Sequence, residues 1–353
     1  MLIESQLRST LEQFLTQHPA CPGVVVAAMA GDRTYLCGAA GVADKQTRRV
    51  MQADATFRIA SITKTYAAAV ALRLAEQQVI NLDDPITRYL GPDIVDMLVV
   101  IDGVSYGHEI TIRHLLQHTA GIPSVGDDDY IPYLLRNPDK VWTPRTKLEF
   151  FLAGVEAAHR PGASAESEYC DHGYVTLALL LEAATGKQLH ELYRSQLHFE
   201  QLGLRATYVE KLEPIPPASG ERVRHYWDGV DVSHFDATCD LWGGGGIVAD
   251  ANDLCRFWHA LFRGKIYDSP KTLQQMCQVV PTADHRYFGQ HYGLGIMWDG
   301  RYWCHTGAWG AFACHDTETD MSIAGFFTEH RAGIPGDPLR DLLTAFTDGG
   351  DVE

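Results

Sequence analysis

Strand-like apolar runs lie near both ends of this chain, and the long stretch between them has a mainly helical pattern. Two early runs, 23–30 and 33–38, flank the turn Gly31-Asp32, and this arrangement predicts a β-hairpin. An amphipathic segment at 7–15 precedes them and predicts a helix. A sheet that takes strands from both ends of a chain restricts the fold, because the middle must then form an inserted lobe.

Three late apolar runs complete the strand pattern. They lie at residues 292–298, 302–305 and 321–327. The dipeptide Asp299-Gly300 between the first two is typical of a hairpin turn, and a final helix is expected over about 337–347.

These patterns predict an α/β (α+β) fold, in which an antiparallel sheet with flanking helices carries an inserted, mainly helical lobe. We expect a discontinuous sheet domain formed by residues 1–60 and 225–353. Residues 61–224 are expected to form the mainly helical domain, with a functional site between the two.

The charge of the chain argues against nucleic acid and membranes as partners. It has 45 acidic and 29 basic residues, a formal charge of −16, and no cluster of Lys and Arg. No run approaches the ~18 apolar residues that a membrane span needs. We expect a cytoplasmic protein, because no signal-peptide pattern precedes the first helix and the eight cysteines form no C-x-x-C pair.

The segment Ser61-Ile62-Thr63-Lys64 places a hydroxyl and an amine one helical turn apart on the same face. A serine hydroxyl is a poor nucleophile until a neighbouring base takes its proton. The apolar run 66–72 that follows predicts a buried helix, so we expect Lys64 to be buried as well. Because S-x-x-K also occurs by chance at capped helix starts, further motifs have to decide its meaning.

Two further segments carry reactive side chains. Residues 168–174 read EYCDHGY and residues 305–308 read HTGA. In the order S-x-x-K, Tyr-x-Asp and His-Thr-Gly, the chain resembles the serine β-lactamase and penicillin-binding-protein superfamily. It is most similar to the branch that holds class C β-lactamases, D-alanyl-D-alanine carboxypeptidases and D-amino-acid amidases. Supporting segments lie at 110–122, 243–253 and 292–295.

The resemblance extends over roughly residues 5–345 and implies a β-lactamase/transpeptidase-like fold. It also implies catalysis through an acyl-enzyme, without a metal or an organic cofactor. Ser61 would be the acylated nucleophile and Lys64 its base or proton shuttle. Tyr169 would pass a proton to the leaving group and activate the deacylating water.

The resemblance further implies how the substrate is held. The backbone N–H groups of Ser61 and Ala308 would form the oxyanion hole. The side chains and backbone expected to bind the substrate's polar groups are those of Asp171, His305, Thr306 and Gly307.

Asp171 stands where the superfamily usually has Asn. An amide both donates and accepts hydrogen bonds, whereas an ionised carboxylate only accepts and would hold Lys64 as a cation. One hypothesis is that Asp171 recognises a substrate amine. The alternative is that it caps the helix 174–184, which is expected to end at Gly186. The sequence leaves open whether Asp171 is a helix cap alone or a cap that also has a role in the site.

His305 is a second departure, because authentic β-lactamases mostly have lysine at this position of the third motif, whereas carboxypeptidase-like members also use histidine. A neutral imidazole attracts a substrate carboxylate less than an ammonium does. This residue therefore favours a peptidase or amidase over an antibiotic-resistance enzyme.

Other patterns compete with this interpretation. Residues 103–107 match the G-x-S-x-G nucleophile elbow around Ser105, but Asp102-Gly103 is better explained as a hairpin turn. His114 and His118 have metal-ligand spacing, yet no third ligand is evident, so structural histidines are expected. The glycines 243–246 lack the Lys-Ser/Thr of a phosphate loop and indicate a tight turn instead.

The sequence therefore predicts a serine hydrolase that acts on amide or peptide substrates through an acyl-enzyme. The activity would resemble that of a D-alanyl-D-alanine carboxypeptidase or of a D-amino-acid amidase or aminopeptidase. The alternatives are a class C-like β-lactamase, a carboxylesterase or acyltransferase, and a non-catalytic penicillin-binding-like protein. The expected partner is a small-molecule or peptide substrate, and the oligomeric state stays open.

Overall fold

The strands of the protein come mainly from its two ends. The computed structural model describes residues 4–31, 33–123, 127–283 and 289–347. Its strands are Gly23–Ala30 (β1), Arg33–Gly41 (β2), Thr56–Arg58 (β3), Val100–Ile101 (β4), Val104–Ser105 (β5), Tyr208–Val209 (β6), Tyr226–Trp227 (β7), Val230–Asp231 (β8), Ile247–Asp250 (β9), Val280–Pro281 (β10), His291–Tyr292 (β11), Met297–Trp298 (β12), Tyr302–Thr306 (β13), Ala311–Asp316 (β14) and Met321–Phe327 (β15).

Most helices lie in the middle of the chain. The α-helices are Glu4–Gln17 (α1), Thr63–Glu76 (α2), Pro92–Leu98 (α3), Ile112–Gln117 (α4), Asp127–Arg136 (α5), Pro144–Leu152 (α6), Asp171–Thr185 (α7), Leu189–Gln196 (α8), Phe199–Leu202 (α9), Ala251–Phe262 (α10), Pro270–Met276 (α11) and Pro338–Thr347 (α12). Short 3₁₀ turns lie at Ala60–Ile62, Ile86–Arg88, Gly107–Glu109, Ala237–Cys239 and Arg331–Gly333. Across the described ranges, no helix combines the length and the apolarity that a bilayer span requires.

The main sheet is antiparallel, with the strand order β10-β11-β12-β13-β14-β15-β1-β2. Strand β1, which lies between β15 and the edge strand β2, is buried on both faces, which explains why it is a continuous apolar run rather than an alternating one. Val24 and Val26 pack on the side of α1 and α12, whereas Val25 and Ala27 belong to the core on the side of α10. Helices therefore cover the sheet on both faces.

A small sheet with the order β3-β9-β6 leads the chain into the functional site. Strand β3 pairs antiparallel with β9, and the Ile59 N–H donates to the Ile247 carbonyl at 3.0 Å. The chain then turns through Ala60–Ile62 into α2, whose residues 63–74 are all buried. Burial on every side gives the first turn of α2 a fixed place in the core.

The structure agrees with most of the predicted elements. The first hairpin is confirmed by the pairing of β1 with β2, although Asp32 of its turn lies outside the described residues. The hairpin at Asp299-Gly300 is confirmed by the pairing of β12 with β13. The helices expected at the two ends are present as α1 and α12. The domain boundaries at residues 60 and 224 stay a prediction.

One predicted strand is wrong as a continuous element. The run 292–298 is divided between β11 and β12, which pair with each other. The Gly293 N–H donates to the Ile296 carbonyl at 2.8 Å, and Gly295 adopts a φ of +81°. A Cβ at Gly295 would lie 2.4 Å from the Cβ of Ala68, so the turn also permits close contact with α2.

Candidate active site

Ser61 lies in the 3₁₀ turn that precedes α2 and is half-buried. The residue before it, Ala60, has a φ of +47°, which is an uncommon conformation for a residue with a side chain. A strained backbone of this kind persists only where the surrounding structure fixes it. The hydroxyl of Ser61 is thereby held at the start of a helix, where backbone N–H groups have no partner within the helix.

Lys64, in the first turn of α2, has a fully buried side chain. Its Nζ donates to Ser61 Oγ at 3.0 Å, to the Gly244 carbonyl at 3.0 Å, and to Asp171 Oδ1. An ammonium has three N–H donors and no acceptor, so these three bonds use all of them. Lys64 therefore acts as a donor toward the serine hydroxyl in this state.

Asp171 is the first residue of α7, and its carboxylate reaches Lys64 rather than capping its own helix. The N-cap is Cys170, whose side chain makes no capping bond, so the hypothesis that Asp171 is the cap is wrong. The expected helix end is confirmed, because Gly186 is left-handed and its N–H donates to the Glu182 carbonyl. The Asp171 side chain is 37% exposed, so part of it stays accessible while it bonds to Lys64.

Two lysine charges keep Asp171 ionised. Desolvation raises the pKa of the Asp171 carboxyl, but the charges of Lys64 and Lys147 outweigh it and lower the pKa to about 2. Lys147 on α6 is 3% exposed and donates to the Cys239 carbonyl at 2.7 Å. Burial lowers the pKa of Lys147. At neutral pH, Lys64 and Asp171 therefore form an ion pair.

Tyr169 lies on another side of the same ammonium. The Nζ of Lys64 is 4.8 Å from the centre of the Tyr169 ring. The ring also packs against His118, with 4.5 Å between the ring centres, and lies near the rings of Tyr292 and His305. The structure thus brings together Ser61, Lys64 and Tyr169, the three residues predicted to be catalytic.

His305, on β13, is fully buried. Its Nε2 accepts a hydrogen bond from the Tyr292 hydroxyl at 3.1 Å, and its Nδ1 donates to the Thr306 carbonyl at 2.9 Å. Burial, assisted by the charge of Lys64, lowers the pKa of His305 to about 3, so the ring is neutral at physiological pH. Of the two side chains predicted to bind substrate here, only that of Thr306 is partly exposed, and both roles stay predictions.

Gly307 allows the end of β13 to lie against the nucleophile turn. A Cβ at Gly307 would be 2.4 Å from the Ile59 carbonyl oxygen and 3.1 Å from the Cβ of Ala60. No side chain fits in that space. Ala308, the next residue, is exposed, and it follows this contact directly. The proposed oxyanion donors, the N–H groups of Ser61 and Ala308, are thus on two segments in close contact.

Sequence reasoning missed several residues that surround this centre. Tyr292 was only part of a supporting segment, yet its hydroxyl holds His305. In the sequence, Lys147 looks like an ordinary lysine of a helix, and no neighbouring residue indicates that it is buried. Gly244 provides the carbonyl that accepts a hydrogen bond from Lys64. The run of four glycines, 243–246, marks this segment in the sequence, although a Cβ at Gly244 itself would have only ordinary contacts, the nearest at 3.8 Å.

The competing patterns are structural. Ser105 lies in the hairpin formed by β4 and β5, as the Asp102-Gly103 turn predicted, and its Oγ accepts from the Gly107 N–H at 3.4 Å. His114 completes the capping box of α4, whereas His118 lies beyond the last helical residue in a left-handed conformation. In the part of the chain that the structure describes, no group of His, Cys, Asp and Glu could hold a metal ion.

Comparison with known proteins gives a consistent family match. The profile of the Beta-lactamase family matches residues 11–345. Among solved structures, a D-stereospecific amidohydrolase from Streptomyces sp. aligns with a TM-score of 0.79 and 27% identity. That alignment covers 97% of this chain and 99% of the other.

Two relatives by sequence carry different names. Penicillin-binding protein 4* of Bacillus subtilis is 26% identical over 275 residues, which are 72% of this chain and 55% of the relative. Esterase EstB of Burkholderia gladioli is 35% identical over 120 residues, which are 34% of this chain and 29% of the relative. The match to penicillin-binding protein 4* thus spans about half of that protein's length.

Proposed function

The chain belongs to the beta-lactamase family of serine hydrolases, and from this premise we propose that it hydrolyses amides of D-amino acids through an acyl-enzyme on Ser61. The observation that carries the proposal is the arrangement around Lys64. Its Nζ lies 3.0 Å from Ser61 Oγ and 4.8 Å from the centre of the Tyr169 ring. A nucleophile, a fixed cation and a proton carrier then converge at one helix start.

The first step would be acylation. Ser61 Oγ attacks the amide carbonyl, and its proton passes to the Tyr169 oxygen, because Lys64 is an ammonium that donates three hydrogen bonds and has no lone pair to accept a proton. To accept the proton, Tyr169 would enter this step as a phenolate, with the Lys64 ammonium 4.8 Å from the centre of its ring. The negative charge that develops on the carbonyl oxygen is stabilised by the N–H groups of Ser61 and Ala308.

Collapse of the tetrahedral intermediate would break the C–N bond. The leaving amine takes the proton from Tyr169, and the acyl group remains on Ser61 as an ester. Water then attacks this ester and gives one proton to Tyr169, from which it returns to Ser61 Oγ as the C–O bond breaks. The products are an amine and a carboxylic acid, and each residue regains its starting state.

The neutral state of His305 favours amides over substrates that end in a carboxylate. A substrate carboxylate needs a cation or several donors, and the third motif offers a buried imidazole whose pKa is lowered to about 3. The neutral ring has one N–H, and this N–H already donates to the Thr306 carbonyl. Carboxypeptidase and β-lactamase activities are therefore less well supported than amidase activity.

Asp171 supports substrates with a free amine. Its Oδ1 bonds to Lys64, while the side chain remains 37% exposed. An α-ammonium that reached the exposed part of this carboxylate would make a charge-assisted hydrogen bond. The likeness to a D-stereospecific amidohydrolase supports the same substrate class.

The proposal is tested with D-phenylalanine amide and its N-acetyl derivative. Ser61→Ala should abolish turnover of both. Asp171→Asn should lower kcat/KM for the free amine by about tenfold or more relative to the acetylated amide, because one charged hydrogen bond contributes roughly 1.5–3 kcal/mol. Asp240→Asn is the matched control, since Asp240 bonds to the Trp309 indole instead. Equal losses on both substrates in Asp171→Asn would refute amine recognition.

An esterase is the second candidate. The segment shared with esterase EstB is 35% identical over 120 residues, and a neutral third motif suits uncharged esters as well as amides. Comparing kcat/KM for D-phenylalanine methyl ester and the corresponding amide distinguishes the two, because an ester leaving group needs less protonation. Turnover of the ester alone would favour this alternative.

A further inference from the structure

His118 bonds to the residues on both sides of Tyr169. The His118 carbonyl accepts a hydrogen bond from the Glu168 N–H at 2.8 Å. Its ring Nδ1 accepts a second bond from the Cys170 N–H at 3.2 Å. One residue, 52 positions earlier in the chain than Cys170, thus holds the backbone immediately before and after the tyrosine.

The same ring also contacts the tyrosine itself. The ring centres of His118 and Tyr169 are 4.5 Å apart, with 41° between their planes. On its other sides the imidazole packs against Tyr174 and Tyr292, at 5.1 Å and 4.7 Å between ring centres. The orientation of the Tyr169 ring is therefore supported by backbone bonds and by side-chain packing from a single residue.

His118 can make both bonds because of its position at the end of α4. It is the C-cap residue, with a left-handed φ of +56°, and its own N–H donates to the His114 carbonyl. A left-handed residue at a helix end directs the chain out of the helix. The carbonyl and the side chain of His118 are both left available for the segment 168–170.

The ring must be neutral for Nδ1 to accept. Desolvation, assisted by the charge of Lys64, holds the pKa of His118 well below its ordinary value. With Nδ1 as the acceptor, the ring proton is on Nε2. That Nε2 is buried and has no hydrogen-bond partner within the described ranges. The bond from the Cys170 N–H to Nδ1 therefore fixes the tautomer of the ring.

We propose that His118 is the positioning residue for Tyr169, holding the segment 168–170 so that the tyrosine ring stays beside the Lys64 ammonium and Ser61. The proposal rests on the proposed function, because it assigns Tyr169 the proton transfer. A tyrosine that moves by about 1 Å no longer meets the attacking hydroxyl in line, and misplacement of that size costs up to roughly 10²-fold in rate.

Two substitutions separate positioning from mere stability. Glycine is the residue best suited to a left-handed C-cap, so His118→Gly keeps the helix end but removes the ring and its acceptor. Asparagine tolerates the left-handed region, and its Oδ1 lies at the same bond separation as Nδ1, so His118→Asn keeps the acceptor. Tyr174→Phe is the control in the same aromatic cluster, since it keeps the ring that packs against His118 and removes only a hydroxyl, which bonds to the Leu116 carbonyl and to Tyr292.

The experiment measures two quantities for each variant. The first is the single-turnover rate of acylation by p-nitrophenyl acetate, taken also in a Tyr169→Phe background. The second is hydrogen exchange, followed by mass spectrometry, of the peptide that contains residues 168–170. Wild type and Ser61→Ala are measured alongside, so that acylation at Ser61 is established independently of the role of His118.

We expect His118→Gly to lower the acylation rate by about tenfold to 10²-fold, the loss caused by a misplaced catalytic group. It should also speed exchange at residues 168 and 170. His118→Asn should stay within about threefold of wild type, and Tyr174→Phe should resemble wild type. In the Tyr169→Phe background, His118→Gly should cause no further loss.

The proposal is overturned if His118→Gly retains wild-type acylation and exchange, if Gly and Asn are equally damaging, or if the losses of His118→Gly and Tyr169→Phe add. If wild type shows no acylation that depends on Ser61, the proposed function fails. The exchange measurement then tests only whether His118 holds the segment 168–170, and unchanged exchange in His118→Gly would show that it does not.

Discussion

The Lys64 ammonium is bonded to the Asp171 carboxylate, and this ion pair joins the first turns of α2 and α7 although 107 residues separate the partners in sequence. The N-terminus of a helix disfavours a cation and favours an anion. Asp171 thus occupies a favourable place, and it compensates the unfavourable place of Lys64. The pair explains how a buried lysine is kept as a donor toward Ser61.

Lys147 should control the ionisation of Asp171 from the other side. Its charge is, after that of Lys64, the second largest that lowers the pKa of Asp171. Lys147→Met keeps the volume of the buried side chain but removes the charge, so the pKa of Asp171 should rise. The acid limb of the pH profile of kcat/KM should then move to higher pH.

The control for this prediction is Lys140→Met, which changes an exposed lysine. It should leave the profile in place. The shift should also vanish when Lys147→Met is made in an Asp171→Asn background, because no carboxyl remains to titrate. A shift that persists in that background would mean that another group sets the acid limb.

His305 should make the fold sensitive to mild acid. Its folded pKa of about 3 lies below the roughly 6.5 of an unfolded histidine, so between these values the unfolded state binds one more proton. The contribution of His305 is complete above about pH 6.5 and is lost progressively as the pH falls toward 3. It amounts to a slope of about 1.4 kcal/mol per pH unit in the free energy of unfolding.

Urea unfolding between pH 6 and pH 4 measures this slope. His305→Gln should flatten it by about the amount stated, whereas His234→Gln, at an exposed histidine, should not. Parallel curves for wild type and His305→Gln would show that folding does not lower the pKa of His305.

Gly307 should be essential for the approach of β13 to the nucleophile turn. In Gly307→Ala the new methyl group would meet the Ile59 carbonyl oxygen at 2.4 Å, so one of the two segments must move. Overpacking of this kind typically costs 1–3 kcal/mol of stability. Because Ala308 follows directly, kcat should also fall.

Gly173→Ala is the matched control. It adds a methyl group within α7, where the nearest atom would be 3.8 Å away, and alanine is the better helix former. This variant should keep its activity and should be as stable as wild type or slightly more stable. Thermal unfolding and kcat are measured for both variants, and a loss in neither would show that the contact at Gly307 yields easily.

The sequence alone was sufficient for the elements whose signals are local. The hairpins and the terminal helices follow from turn dipeptides and periodic apolar residues, and the structure contains them. Resemblance to a family supplied Ser61, Lys64 and Tyr169, which the structure brings together. The prediction of one strand over 292–298 was wrong because the run turns at Gly295, where the chain packs against Ala68, a residue far away in sequence.

The remaining features of the site depend on contacts between distant segments. Asp171 has the local pattern of a helix cap, but its carboxylate turns to Lys64 because that buried ammonium is close. His114 and His118 are spaced as if on one helix face, but α4 ends between them. No local pattern shows that Lys147 is buried or that Tyr292 bonds to His305. Such relations appear only when the chain is folded.

The most direct test of the account is the intact mass of the protein after incubation with p-nitrophenyl acetate and with a fluorescent penicillin. Wild type, Ser61→Ala and Ser105→Ala are compared, since Ser105 is the nucleophile of the competing motif. The account predicts an acetyl adduct in wild type and in Ser105→Ala that is absent from Ser61→Ala. An adduct that survives in Ser61→Ala, or that is lost only in Ser105→Ala, would contradict it.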